Sequence, residues 1–177
     1  MSEKQISQAI VGRDPQQLRR ELQESDSENA RRRRKIIGLS LFGVAAMAAV
    51  SLFQTGIIKH LPDPPVDGFD SDKVNSSDTA YALGVPDGTV SLASLAANVP
   101  IAAFGGENRH AEMPLVPILA AGKAIVEAAA AGWYFYQMPT KEKAWCGYCI
   151  AGALTNVGIA WLTLPEAKQA WKSLTKN

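Results

Sequence analysis

The chain is poor in the residues that most often carry metal or redox chemistry: its 177 residues include two cysteines and two histidines. A tetrahedral zinc site takes four ligands, so all four side chains would have to converge. The topology argued below sets His60 and His110 on opposite faces of a membrane, which excludes such a site. Net charge is only +1, and basic residues are nowhere interleaved with aromatic ones, which removes a nucleic-acid surface. The first 35 residues have no aromatic side chain, and the next 23, Ile36 to Ile58, have no charge.

That uncharged run is the main positive signal. As a helix at about 1.5 Å per residue it would cover about 34 Å, enough for the roughly 30 Å hydrocarbon core of a bilayer. It is too long for the apolar region of a cleaved signal peptide, and about thirty polar residues precede it, so it reads as a retained span. Residues 1–35 then form a polar, basic tail ending in Arg31-Arg-Arg-Arg-Lys35, with one short helix expected where Asp14-Pro15 precedes QQLRRELQE. This tail is a solvated extension or a docking segment for a partner.

Three further spans are expected. Pro62, Pro64 and Pro65 make the stretch from His60 to Leu83 a loop outside the membrane. A second apolar region runs over 84–104, with Asp87 near its start and Pro100 near its end; Pro is tolerated in membrane helices where neighbours satisfy the freed carbonyl. The third, 115–136, closes on Trp133-Tyr-Phe-Tyr136, an aromatic cluster of the kind found at membrane interfaces. The fourth runs over 145–164, where Pro165 is expected to stop it and leave 165–177 as a second tail. The fold class expected is an all-α membrane protein, a four-transmembrane-helix bundle. With the N-terminus inside, thirteen Lys and Arg fall on inner segments and four on outer ones, excluding Lys123 within a span. That bias puts both termini in the cytoplasm.

Both cysteines lie in Trp145-Cys-Gly-Tyr-Cys149, at the outer start of the fourth span. Three residues apart on a helix, their sulfurs share a face and their Cα atoms come within disulfide range. The helix N-terminus favours negative charge at Cys146, while Cys149, one turn deeper, meets apolar surroundings that disfavour it. A redox-active dithiol is the leading reading. Two inert buried cysteines are the alternative, and a purely structural disulfide would close too short a loop to add much stability.

The order of motifs resembles the vitamin K epoxide reductase family. Its members are four-helix membrane bundles with C-x-x-C at the outer end of the fourth helix beside a quinone pocket. They also carry a loop C-x-x-V-x-S-S, followed in bacterial members by G-[IV]-P. Here the loop reads Ser71-Asp-Lys-Val74-Asn-Ser76-Ser77, and Gly84-Val-Pro86 follows. The resemblance covers about residues 36–164. It implies Cys146 and Cys149 as the catalytic pair, with Cys149 facing the quinone, and Ser77 beside the quinone pocket. It also implies ubiquinone or menaquinone as electron acceptor, in a bacterial inner membrane. The departure is that Ser71 stands where the family has its inner loop cysteine, and the earlier partner falls near Asp63. The relay those cysteines provide is absent, so a thioredoxin-fold protein or substrate thiol on the outer side is expected to reach Cys146 directly.

Two polar features lie within the spans. Lys123 and Glu127, one turn apart, form a possible intramembrane ion pair, serving proton uptake or helix docking, or simply neutralising each other. Asn156, two turns below Cys149, is expected to bond to a neighbouring helix or to touch the quinone. Small residues dominate every span, as in AAMAA, SLASLAA and EAAAAG, permitting close packing within the bundle or against a larger membrane complex. The function expected is quinone-linked thiol–disulfide exchange. The alternatives are a non-catalytic membrane subunit that retains the fold, and a quinone- or pigment-binding module without thiol chemistry.

Overall fold

The computed structural model describes residues 14–175. The first thirteen residues of the basic tail, and Lys176 with Asn177 of the C-terminal one, lie outside that range. Helix α1, Pro15–Glu24, starts as the sequence expects: Pro15 occupies the first turn, and the Asp14 carboxylate accepts the Gln16 N–H at 3.0 Å.

Helix α2, Glu28–Gln54, begins eight residues before the apolar run, capped by the Ser27 hydroxyl, which accepts the Ala30 N–H. The run Arg31–Lys35 is thus helical rather than part of an extended tail. Arg and Lys propagate a helix well, and Ser27 with Glu28 in the first turn supplies the start signal. After the short helix α3, Ser71–Asn75, and a 3-10 turn at Asp78–Tyr81 come α4, Asp87–Ala103, and the single turn α5, Arg109–Glu112. Helix α6, Leu115–Gln137, passes through a π turn, Met138–Glu142, before α7, Gly147–Thr175.

Among the described residues, three helical segments are long and apolar enough to cross a membrane: α2, α6 with its π turn, and α7. Helix α4, with 17 residues, covers about 26 Å and falls short of the 30 Å core. Apolar side chains such as Leu41, Phe42, Leu119, Val126, Leu154 and Trp161 lie on the outer surface, as a lipid-facing bundle requires. The buried centre holds Met47, Val50, Leu95 and Ile159.

Packing is uneven, and this creates the site. Helix α2 packs along both α4 and α7, and α7 packs along α6, whereas α4 and α6 barely touch. Close approach on the tight side depends on absent side chains: a Cβ on Gly43 would lie 2.9 Å from Thr155 Cγ2 and 3.0 Å from Leu95 Cδ1. On the loose side the bundle is left open between α4 and α6.

Pro165 does not end α7. Its ring removes one backbone hydrogen bond, but the turn beyond it is tied to the rest of the fold. Glu166, directly after the proline, accepts two bonds from the Arg109 guanidinium at 2.8 Å each, and Gln169 accepts from Asn29 at 2.7 Å. Arg109 also donates to the carbonyls of Ile101 and Phe104, the orphan acceptors left at the end of α4. Arg33 donates to the carbonyls of Gly106 and Glu107. This knot closes one end of the bundle, and the cysteines lie at the other.

Candidate functional site

Cys146 and Cys149 are joined as a disulfide, with Cα atoms 5.2 Å apart. Cys146 directly precedes α7 and serves as its N-cap, with sulfur in place of the usual oxygen: Cys149 N–H donates to Cys146 Sγ at 3.1 Å. The approach to this cap is set by the preceding loop. Trp145 N–H donates to the Gly68 carbonyl at 2.8 Å, and Asp70 N–H to the Trp145 carbonyl at 3.0 Å. The loop between α2 and α3 is thereby stitched to the residue beside the disulfide.

Helix α3 then lies over the sulfurs. Asp70 caps it by accepting the Lys73 N–H at 2.9 Å. Ser71, fully buried, donates its backbone N–H to Asp63 Oδ2 at 2.7 Å and its hydroxyl to Asp63 Oδ1 at 2.6 Å. Asn75, one turn on, donates from Nδ2 to the Ser71 carbonyl at 2.8 Å and to Cys146 Sγ at 3.2 Å. Its Oδ1 lies 3.7 Å from Cys149 Sγ. Asn75 is the functional candidate that sequence reasoning missed. The available signal was its spacing: four residues after Ser71, it shares that residue's face of α3.

The loop is anchored farther out by Asp72, whose carboxylate meets His60 Nδ1 at 2.8 Å and accepts the Leu61 N–H at 2.8 Å. Burial pushes the Asp72 carboxyl upward, but the bonds to His60 and Leu61, with the His60 charge, together hold it below the ordinary carboxylate value.

The two sulfurs differ in access. Cys146 has no exposed surface, so no protein thiol reaches it in this arrangement. The expectation of direct access at Cys146 therefore needs α3 and the Trp145 segment to move aside. Cys149 lines a cavity of about 240 Å³ between α4 and α6, walled also by Val74, Asn75, Ser77, Leu95, Glu127, Tyr134 and Asn156. Ser77 caps the 3-10 turn, donating to the Val74 carbonyl at 2.8 Å and accepting the Ala80 N–H at 3.4 Å.

Of the polar pair in α6, Lys123 Nζ meets Glu127 Oε1 at 2.5 Å, the Ser94 carbonyl at 2.9 Å and Asn98 Oδ1 at 2.8 Å. Glu127 also accepts from the Ser94 hydroxyl and from Asn98 Nδ2. The pair thus bonds to α4 across the loose side of the bundle, and Glu127 reaches the cavity wall. Among the described residues Asn156 has no hydrogen-bond partner on a neighbouring helix, and its Oδ1 is buried without one.

The sequence profile of the vitamin K epoxide reductase family matches residues 35–164. The chain belongs to that family. No curated protein and no solved structure gives a significant match. As a vitamin K epoxide reductase family member with three long apolar helices, the chain is a membrane protein carrying a paired C-x-x-C. Its loop positions 63 and 71 hold a carboxylate and a hydroxyl bonded to each other.

Proposed function

We propose that this vitamin K epoxide reductase family member is a quinone-linked thiol–disulfide oxidoreductase of the bacterial inner membrane, acting through Cys146 and Cys149. The observation that carries the reading is that Cys149 forms part of the wall of the cavity between α4 and α6. An apolar space with a few convergent polar groups suits a quinone head group, and ubiquinone and menaquinone are the membrane quinones to test. The Asn156 amide in the same wall, whose Oδ1 is buried without a partner, fits such a ring: Nδ2 would donate to a quinone oxygen and Oδ1 would accept from a quinol hydroxyl.

In this reading the reduced pair gives up two electrons and two protons and becomes the disulfide, while the quinone takes up both and leaves as quinol. Two thiols of an outer partner, a thioredoxin-fold protein or a substrate protein, then reduce the disulfide and become oxidised. Without loop cysteines, that exchange takes place at Cys146 once α3 lifts.

The orientation proposed has both termini in the cytoplasm. It is supported by the charge bias and by the knot of Arg33, Arg109 and Glu166, which gathers three of the basic segments at one end of the bundle. With both termini inside the number of crossings is even, and α4, too short alone, makes the fourth together with the flanking residues of the 84–104 stretch.

The complete burial of Cys146 favours one other reading, a non-catalytic subunit of a larger membrane complex. Rapid acid trapping of thiols in membranes, with the quinone pool present or depleted, separates the two. Quinone-linked exchange predicts that Cys146 and Cys149 accumulate as thiols on depletion and re-form the disulfide when quinone returns. A pair unchanged in both conditions supports the subunit.

A further inference from the structure

Among the described residues the Asn75 side chain is the one amide that faces both sulfurs, and nothing in the loop motif or in the C-x-x-C assigns it a role. It is almost fully buried. Its position is fixed from two directions: Nδ2 bonds to the Ser71 carbonyl, and its own backbone carbonyl accepts from Gln54 Nε2 at 3.3 Å. Gln54 is held in turn by Asp87 Oδ1 at 2.7 Å and by the Gly88 N–H at 3.0 Å. The amide therefore has little freedom of its own and moves only with α3.

The chemistry at its two ends is asymmetric in the right sense. Nδ2–H lies 3.2 Å from Cys146 Sγ, and the Cys149 N–H lies 3.1 Å from the same sulfur. Two donors converge on that atom. A disulfide sulfur is a weak acceptor, whereas a thiolate is a strong one, so both bonds strengthen when the S–S bond is broken and charge remains on Cys146. At the other end, Oδ1 stands 3.7 Å from Cys149 Sγ. A disulfide offers it no proton, but a Cys149 thiol does. Each half of the amide thus interacts better with the opened pair than with the closed one.

We infer that Asn75 is a further catalytic residue of the dithiol site, which stabilises the reduced pair by donating to the Cys146 sulfur and accepting from the Cys149 thiol. Two consequences follow for the reaction proposed above, on which this inference rests. Once α3 settles back over the opened pair, Asn75 and the Cys149 N–H hold Cys146 as the thiolate, the nucleophilic form of the thiol. Asn75 also raises the reduction potential of the pair, and so sets how strongly the disulfide oxidises its thiol partner. A charge-assisted hydrogen bond exceeds a neutral one by an amount corresponding to about tenfold in an equilibrium constant.

The test is the redox equilibrium of the full-length protein in detergent against a dithiothreitol buffer, scored by acid quenching and a maleimide mass shift. Asn75→Leu removes both polar ends. Asn75→Asp keeps the volume and an acceptor but replaces the donor with a negative charge. The expected result is a shift toward the disulfide of about tenfold for Asn75→Leu, equivalent to about 30 mV for this two-electron couple, and a larger one for Asn75→Asp. A second readout is thiolate absorbance near 240 nm in the Cys149→Ser background, which leaves Cys146 as the lone thiol. There, Asn75→Leu lowers the absorbance at neutral pH if the amide stabilises the thiolate. Equilibrium constants within twofold of the parent for both variants, with unchanged absorbance, overturn the inference. If Asn75→Leu fails to fold, Asn75→Asp decides alone by the same criteria. No quinone enters this measurement, so a failure of quinone coupling leaves its outcome intact, and the reverse also holds.

Discussion

Ser71 gives both its backbone N–H and its hydroxyl to the carboxylate of Asp63, at 2.7 and 2.6 Å. The family resemblance places the loop cysteine pair at or near these two positions, so a polar clamp stands where a covalent, electron-carrying link is expected. The clamp holds α3 over the disulfide without any redox function of its own.

Breaking the clamp should therefore loosen the lid rather than the bundle. Asp63→Ala leaves two donors of a buried serine unpaired, and each costs about 1–3 kcal/mol. Proteolysis of the 59–83 loop in intact membranes should accelerate at least tenfold in Asp63→Ala, and less in Ser71→Ala, which removes the hydroxyl along with its need for a partner. The α2–α7 packing should survive, seen as unchanged helical content.

Acid should loosen the same loop through Asp72. Its carboxyl is held below its ordinary value of 3.8 by His60 and Leu61 against the effect of burial. A depressed carboxylate contributes its full stabilisation above the unfolded value and loses it as pH falls through the lower folded one. Loop proteolysis by an acid-stable protease should rise steeply as pH drops below about 3.8. In Asp72→Asn that step should be absent, with faster cleavage already at neutral pH.

Gly43 should tolerate no side chain. A Cβ there meets Thr155 and Leu95 at 3.0 Å or less, whereas one on Gly38 or Gly122 meets nothing within 4 Å. Gly43→Ala should cost about 1–3 kcal/mol by overpacking, lowering the thermal midpoint in detergent, while Gly38→Ala and Gly122→Ala should match the parent or exceed it.

Asn156 should show opposite effects on stability and on quinone use. Its Oδ1 is buried and unpartnered, so Asn156→Leu removes an unmet hydrogen-bonding group and should leave the quinone-free protein as stable as the parent or more so. The same change removes the amide from the cavity, and the quinone KM should rise about tenfold, the usual scale for one lost polar contact. A KM unchanged by Asn156→Leu would remove the amide from the binding site.

Much of this architecture is legible in the residue order. The uncharged run Ile36–Ile58 marks α2, Asp14-Pro15 marks the start of α1, and the spacing of Lys123 and Glu127 brings them together as a pair. Pro165 misleads because a local rule is overridden from a distance: Arg109, 57 residues away in sequence, holds Glu166 and carries α7 past the break. The start of α2 at Glu28 is hidden by charge, since four arginines look like a solvated tail until Arg33 finds backbone carbonyls in the α4–α6 turn. At the site, the C-x-x-C and the loop motif stand out by their spacing. The Asn75 contact does not, because it depends on how α3 settles over α7, which no periodicity encodes. The Asp63–Ser71 clamp is visible only as missing cysteines until the chain is folded.

The most direct test of the account is stoichiometry. The purified, anaerobically reduced protein, mixed with a soluble ubiquinone or menaquinone analogue, should form one Cys146–Cys149 disulfide for each quinol produced, and neither Cys146→Ser nor Cys149→Ser should yield quinol. Quinol formation without disulfide formation, or a reduced pair that stays reduced in excess quinone, would contradict it.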